Sequence, residues 1–244
     1  MVRVAEAALA KAVTIPSAAV HAHVARVRAR NPEASPEQLV RLLEKEYVRV
    51  ISATGGAVGA AAALPAVGTG VAFALTASDV ATFFGASAAF TLAVASVHGI
   101  EVDDVERRQA LLMTTILGES GAKAVADTAG LRSVTAARAL MTRLPMTTVK
   151  KVNTTLTRRL VKQQAAKQTT LAFGRLVPFG IGIAVGVGGA RALGRQVIRG
   201  ARAAFGPAPA AFPATIEIPA PQAPVLPAPA QPGAFPGPSP YPSH

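Results

Sequence analysis

Asp79, His98 and Glu101 are the side chains of this chain whose types best suit acid–base chemistry. Asp79 is the one formal charge between Arg49 and Glu101. Two carboxylates and an imidazole gathered around a cleft would supply the proton donors and acceptors of a hydrolase. A soluble helical hydrolase is therefore one reading of the chain. A buried or capping role is the simpler account of Asp79. The run His98-Gly99-Ile100-Glu101-Val102-Asp103-Asp104 has the residue types of a metal cluster. Asp103 and Asp104, however, stand where they would cap a helix from Asp104 to about Leu117 and face the positive end of its dipole, which accounts for the acids without a metal. Arg107 and Arg108 follow as solvated or ion-paired residues of that helix.

The remaining motifs carry less. Gly118-Glu119-Ser120-Gly121-Ala122-Lys123 departs from a phosphate-binding loop, which needs Gly before the Lys and Ser or Thr after it, and reads as a helix end with a Gly break. Ser120 lacks the last Gly of a nucleophile elbow. His21 and His23 are two residues apart, which on a helix points them to different faces. The sequence contains no Cys, which excludes a disulfide framework, thiolate metal ligands and a cysteine nucleophile. No cofactor and no metal are expected.

Cations give the stronger signal. No acidic residue occurs between Asp127 and Glu217, while 14 Lys and Arg do. Such a block creates a lasting field for anionic surfaces, either phospholipid head groups or nucleic acid. Arg158, Arg159 and Lys162 oppose Leu156, Leu160 and Val161, as in a basic amphipathic helix. Arg191, Arg195, Arg199 and Arg202 follow at steps of four, four and three, making a positive stripe. Nucleic acid is disfavoured as the partner, because groove-reading motifs are missing and Phe173 and Phe179 are the block's only aromatics before Phe205. An anionic membrane surface fits better. The plainer alternative is a set of solvated helix faces balanced by the acidic Glu101 to Glu106 cluster.

Positioning these groups requires helices. Met1 to Val13 lacks the layout of a signal peptide, since Glu6 and Lys11 interrupt its Ala-rich run, and the segment to Arg30 reads as a modest amphipathic helix. Ser35-Pro36-Glu37-Gln38 is a capping box with Pro at the first helical position. Leu39, Leu43, Tyr47 and Val50, widened by Leu42 and Ile51, then recur at helical spacing opposite Arg41, Glu44, Lys45 and Arg49. From Val50 to Ser78 runs a charge-free stretch of 29 residues, broken at Leu64-Pro65-Ala66-Val67-Gly68-Thr69-Gly70. That reads as a helical hairpin. Leu176 to Ala190 is a second uncharged run, of 15 residues, opened by Pro178 and rich in Gly. Gly55 and Gly59, like Gly182 and Gly186, are one helical turn apart, a spacing that lets backbones approach closely in lipid or in a protein core. From Gly206 onward, 13 of the 19 prolines mark an extended, disordered tail.

The order of Leu64-Pro65-Ala66-Val67-Gly68, Asp79, His98-Gly99 leading to Glu106-Arg107-Arg108, a basic helix, and Val177-Pro178-Phe179-Gly180 with its Gly-rich continuation resembles the EcsC family. The resemblance covers roughly Ser35 to Phe205. A family position that carries Asn after the second hairpin is Gly189 or Ala190 here. The resemblance implies a bacterial, mainly helical protein associated with a transport operon and transfers no catalytic residue. Asp79 is the first position to test for a polar site.

These readings predict an all-α protein of three parts. Residues 1–34 form an N-terminal amphipathic helix, 35–205 a helical domain with two Gly/Pro-broken apolar hairpins and amphipathic helices, and 206–244 the disordered tail. The expected location is the cytoplasmic face of a membrane, peripheral or partly inserted, with an anionic lipid surface and a membrane protein as candidate partners. Adsorption would use Arg158, Arg159, Lys162, Arg191, Arg195, Arg199 and Arg202. Asp79, His98 and Glu101 are the possible polar site.

Overall fold

Small side chains force helices to pack backbone against backbone, and the helix contacts follow from that constraint. The computed structural model describes residues 2–62, 69–130, 144–171 and 181–213. Within them the chain forms α1 (Val2–Ala12), α2 (Ser17–Arg30), α3 (Pro36–Ala62), α4 (Thr69–Val97), α5 (Val105–Ile116), α6 (Glu119–Ala129), α7 (Met146–Leu171) and α8 (Ile181–Phe205). No strand occurs among the described residues, so the expected all-α class holds. The breaks expected at Leu64–Gly68 and Val177–Gly180 lie outside the described residues, as does the tail beyond Pro213.

α3 begins as its sequence dictates. The Gln38 amide donates to Ser35 Oγ at 3.3 Å and the Ser35 amide to Gln38 Oε1 at 2.8 Å, a reciprocal capping box. Leu39, Leu43, Tyr47 and Ile51 are buried along one stripe. Val50, expected in that stripe, is 42 % exposed. Glu44, expected on the solvated face, is buried, because α8 lies along that side of α3. Tyr47 ties α3 to α4: its hydroxyl meets Ser87 Oγ at 2.8 Å and its ring stacks on Phe90 at 4.8 Å.

α3 and α8 run antiparallel. Glu44 pairs with Arg202, Tyr47 and Ile51 face Gly194, Ser52 accepts from Arg191, and Gly56 faces Val187, so one residue number rises as the other falls. A Cβ on Gly56 would lie 3.1 Å from Val187 Cγ2, and one on Gly194 3.7 Å from the Tyr47 ring. Gly55 is buried, while Gly59, Gly182 and Gly186 lie outside the residues whose packing is described.

The tightest approach is further along α8. A Cβ on Gly200 would stand 2.1 Å from the Thr115 carbonyl oxygen and 2.8 Å from Gly118 Cα. Gly118 itself has φ 69° and ψ −145°, a backbone state open in practice only to glycine, and it turns the chain between α5 and α6. Gln196 Nε2 donates to the Ile116 carbonyl at 2.8 Å beside it. The expected Gly-broken helix end is thus the corner on which α8 rests.

Of the two alternatives expected for Arg108, solvated or ion-paired, the structure shows the second, and the residue is only 8 % exposed. Its Nε donates to the Val102 carbonyl, one terminal nitrogen to the carbonyls of Val13 and Ile15, and the other to Ser17 Oγ. Asp103 faces the guanidinium at 3.9 Å and accepts from Ser17 at 3.0 Å. Asp104 caps α5, accepting from the Arg107 amide at 2.9 Å, so of the two aspartates expected as caps, one caps and the other pairs.

That anchor changes the domain boundaries. The N-terminal segment is two helices separated near Pro16, and Ala8, Leu9, Ala12, Val13 and Val20 belong to the same buried core as α4 and α5. Met1–Ala214 is one compact unit, so no boundary falls at residue 34. Nor does the packed chain stop at Phe205. Phe212 is partly buried against the core, the Arg28 guanidinium lies 4.1 Å from its ring centroid, and Pro213 packs on Gly99. The two Phe212 contacts, apolar and cation–π, fix the root of the Pro-rich segment.

Two substitutions test this packing. Arg108→Met leaves two buried carbonyls and one part-buried carbonyl without their donor and should lower stability by about 3 kcal/mol in chemical denaturation. Gly200→Ala forces backbone apart and should cost roughly 1–3 kcal/mol, whereas Gly188→Ala, with nothing within 4 Å, should be neutral or mildly stabilising.

Candidate functional site

The three proton-transfer candidates do not converge. Asp79 lies within α4 and His98 directly follows its last residue, 19 positions on, which at the helical rise separates them by about 28 Å. Asp79 is half-buried, and burial pushes its carboxyl above the usual carboxylate range. The His98 amide continues α4 by one step, donating to the Val94 carbonyl at 3.1 Å, and the imidazole Nδ1–H donates to the same carbonyl at 2.9 Å. Its ring packs on Phe205 at 5.2 Å, and its buried Nε2 meets no partner among the described residues. Glu101 is exposed at the rim of a notch lined also by Ser17, His21, Ser96 and Ile100. That notch has room for about one water molecule.

The histidines take ordinary structural roles. His21 Nδ1 meets Ser96 Oγ at 3.0 Å, and His23 Nε2 meets Glu46 at 3.3 Å. They address different helices, as their spacing predicts. No group of three His, Asp or Glu side chains capable of holding a metal exists among the described residues.

The basic helices divide into engaged and outward-facing cations. On α7, Val149, Val152, Leu156 and Leu160 are buried. Asn153 donates to the carbonyl and carboxylate of Glu106 at 3.0 and 2.8 Å, fixing α7 against α5. Lys151, Arg158 and Lys162 are exposed and fall opposite the buried stripe. Arg159 points aside and donates to the Ser120 carbonyl at 3.1 Å.

On α8 the four-arginine stripe is not uniform. Arg202 is bidentate to Glu44 at 2.7 and 2.6 Å, and that hydrogen bonding raises its pKa. A guanidinium committed in this way is a clamp between α8 and α3, so Arg202 drops out of the proposed lipid contacts. Arg191 donates to Ser52 Oγ at 3.3 Å and stays exposed. Arg195 and Arg199 are exposed and have no carboxylate partner among the described residues.

Sequence reasoning missed the contribution of α3. Because α3 and α8 turn their buried stripes to the same side and meet along the Glu44–Arg202 and Ser52–Arg191 seam, their outer faces form one surface. Lys45 and Arg49 of α3 lie on it beside Arg195 and Arg199 of α8, all four exposed. The helical register of α3 placed Lys45 and Arg49 away from its apolar stripe, but nothing local tied that face to a helix some 150 residues later.

One helix among the described residues is long and apolar enough to cross a membrane, Ser78–Val97, with mean hydropathy 1.8; 56 % of that window is buried inside the protein. No protein-family model, curated protein or solved structure matches the chain.

Asp79 yields a pH test. Its folded pKa is raised above 3.8, so folding binds a proton just above that pH and stability falls as pH rises through the window between the two values. Asp79→Asn should raise the thermal midpoint at pH 7 and leave it nearly unchanged at pH 3, as read by calorimetry at both pH values.

Proposed function

We propose that this is a non-enzymatic helical protein that associates with an anionic membrane surface through its basic helices and apolar hairpin segments, in support of a transport or envelope process. The observation that carries the reading is the outer face of α3 and α8, where Lys45, Arg49, Arg195 and Arg199 are exposed together without carboxylate partners among the described residues. Each cation near an anionic leaflet contributes about 1 kcal/mol. The second basic helix, α7, adds Lys151, Arg158 and Lys162. The charge-free runs that flank these cations supply apolar surface for shallow insertion. The cytoplasmic face of the membrane follows as the proposed location, because its leaflet carries the anionic lipids.

The sequence order of the Pro/Gly motifs, which resembles that of the EcsC family, supports reading the chain as a member, and the helical fold is of the kind the resemblance implies. Two observations weigh against the hydrolase alternative: the separation of Asp79 from His98, and a notch at Glu101 too small for a substrate.

Arg195→Gln with Arg199→Gln should weaken binding to phosphatidylglycerol vesicles about 30-fold, from about 1 kcal/mol per cation, with no change in helical content. Co-sedimentation at rising salt is the measurement. Binding that survives high salt unchanged would favour insertion over adsorption, and full solubility with no vesicle binding would reject the membrane reading.

A further inference from the structure

The two charge-free runs of the sequence are not scattered over the fold. The first, Val50–Ser78, contains the C-terminal half of α3 and the start of α4; the second, Leu176–Ala190, leads into α8. Gly56 faces Val187, and the antiparallel register continues from there, so α3 leaves the described core at the same end at which α8 enters it. Tyr47 meets Ser87, and His98 packs on Phe205 at the end of α8 that lies beside the start of α3, so α4 runs antiparallel to α3 and its start lies toward the end bearing Gly56 and Val187.

The opposite end has the contrary character. His98 packs on Phe205 there, and Arg202 clamps Glu44. Glu101, Asp103 and Asp104 are exposed in the link that follows His98. Between the two ends, Arg49 and Arg191 stand at the borders of the charge-free runs, one on each helix, with Arg195 one turn further along α8. All three are exposed.

We infer that the end of the bundle bearing Gly56 and Val187 is the end that enters an anionic bilayer, with Arg49, Arg191 and Arg195 forming a collar at head-group depth and the Glu101–Asp104 end turned away. The inference rests on the membrane reading above and specifies its orientation. Two physical terms act together in this arrangement. Apolar helix ends lose water on entering the acyl boundary, while a guanidinium at the border keeps its hydrogen bonds by meeting phosphate. An anionic leaflet also repels the exposed Glu101, Asp103 and Asp104 carboxylates, which adds to the preference for turning that end away, although Arg28 and Arg202 near the same end make this the weaker of the two terms. The collar differs from a simple basic stripe. Its residues come from two helices and fall within about one helical turn along the axis, whereas Arg199 lies a further turn toward the acidic end.

The chain has no Cys and no Trp, so a single introduced cysteine carrying an environment-sensitive nitrobenzoxadiazole label reports one position. Gly188 and Ala203 are both exposed on α8, and a side chain at Gly188 meets nothing within 4 Å. The two positions are about 22 Å apart along the axis. With full-length Gly188→Cys and Ala203→Cys proteins and phosphatidylglycerol–phosphatidylcholine vesicles, the label at 188 should brighten at least twofold, shift to the blue and be quenched by lipids brominated in the acyl chain. The label at 203 should do none of these. Arg49→Gln with Arg191→Gln should reduce vesicle co-sedimentation at least tenfold while helical content stays unchanged. Vesicle binding with no response at 188, or with equal responses at both positions, overturns the orientation while leaving membrane association intact. Unchanged binding of the double variant overturns the collar, and absence of vesicle binding by the unsubstituted protein overturns both this inference and the reading beneath it.

Discussion

Close approach of helix backbones is the constraint on which this fold depends. The core is largely Ala, Val and Leu, with no Trp in the chain, so few large side chains prop neighbouring helices apart, the Tyr47–Phe90 stack between α3 and α4 being the main exception. Buried area then accumulates only where backbones nearly touch. Gly200 against the Thr115 carbonyl is the extreme case, and Gly56 and Gly194 set the separation of α3 and α8. Moving α8 outward by a methyl group would loosen the Glu44–Arg202 clamp and separate the two outer faces that form the basic surface. Packing geometry and the candidate site are therefore one problem in this protein.

Arg108 does for the N-terminal helices what glycine does for α8. α1 and α2 end and begin around Val13 to Ser17, where backbone carbonyls would otherwise be buried without donors. One guanidinium, planar and rich in N–H groups, reaches Val13, Ile15, Val102 and Ser17 together. A lysine could not span that set. The cost of burying the charge is offset by these bonds and by Asp103 at 3.9 Å. The consequence is architectural, since a segment of modest amphipathicity becomes part of the core.

Charge in this molecule is sorted by partnership. Arg108, Arg159 and Arg202 hold elements together, whereas Arg195 and Arg199 face outward. The sorting explains why a count of basic residues overstates the surface available to an anion. It also shows why the α3 face matters, because Lys45 and Arg49 add charge from the acid-containing half of the sequence, outside the block that makes the chain basic.

Local physics in the sequence determined the helical class, the capping box at Ser35, the Asp104 cap, the buried stripe of α3 and the Gly break at Gly118. Each depends on residues within a turn or two of one another, so spacing alone carries it. Tertiary structure decided the rest. Glu44 changed from a solvated acid to a buried partner, Arg202 from a lipid contact to a clamp, and Arg108 from a solvated or ion-paired residue to a buried anchor, because the partners that decide these roles lie from 91 to 158 positions away in the chain. Phe212 and Pro213 look like the start of a disordered tail until Arg28 and Gly99 are brought beneath them. A side chain's own periodicity states which way it faces on its helix; only the fold states what it faces.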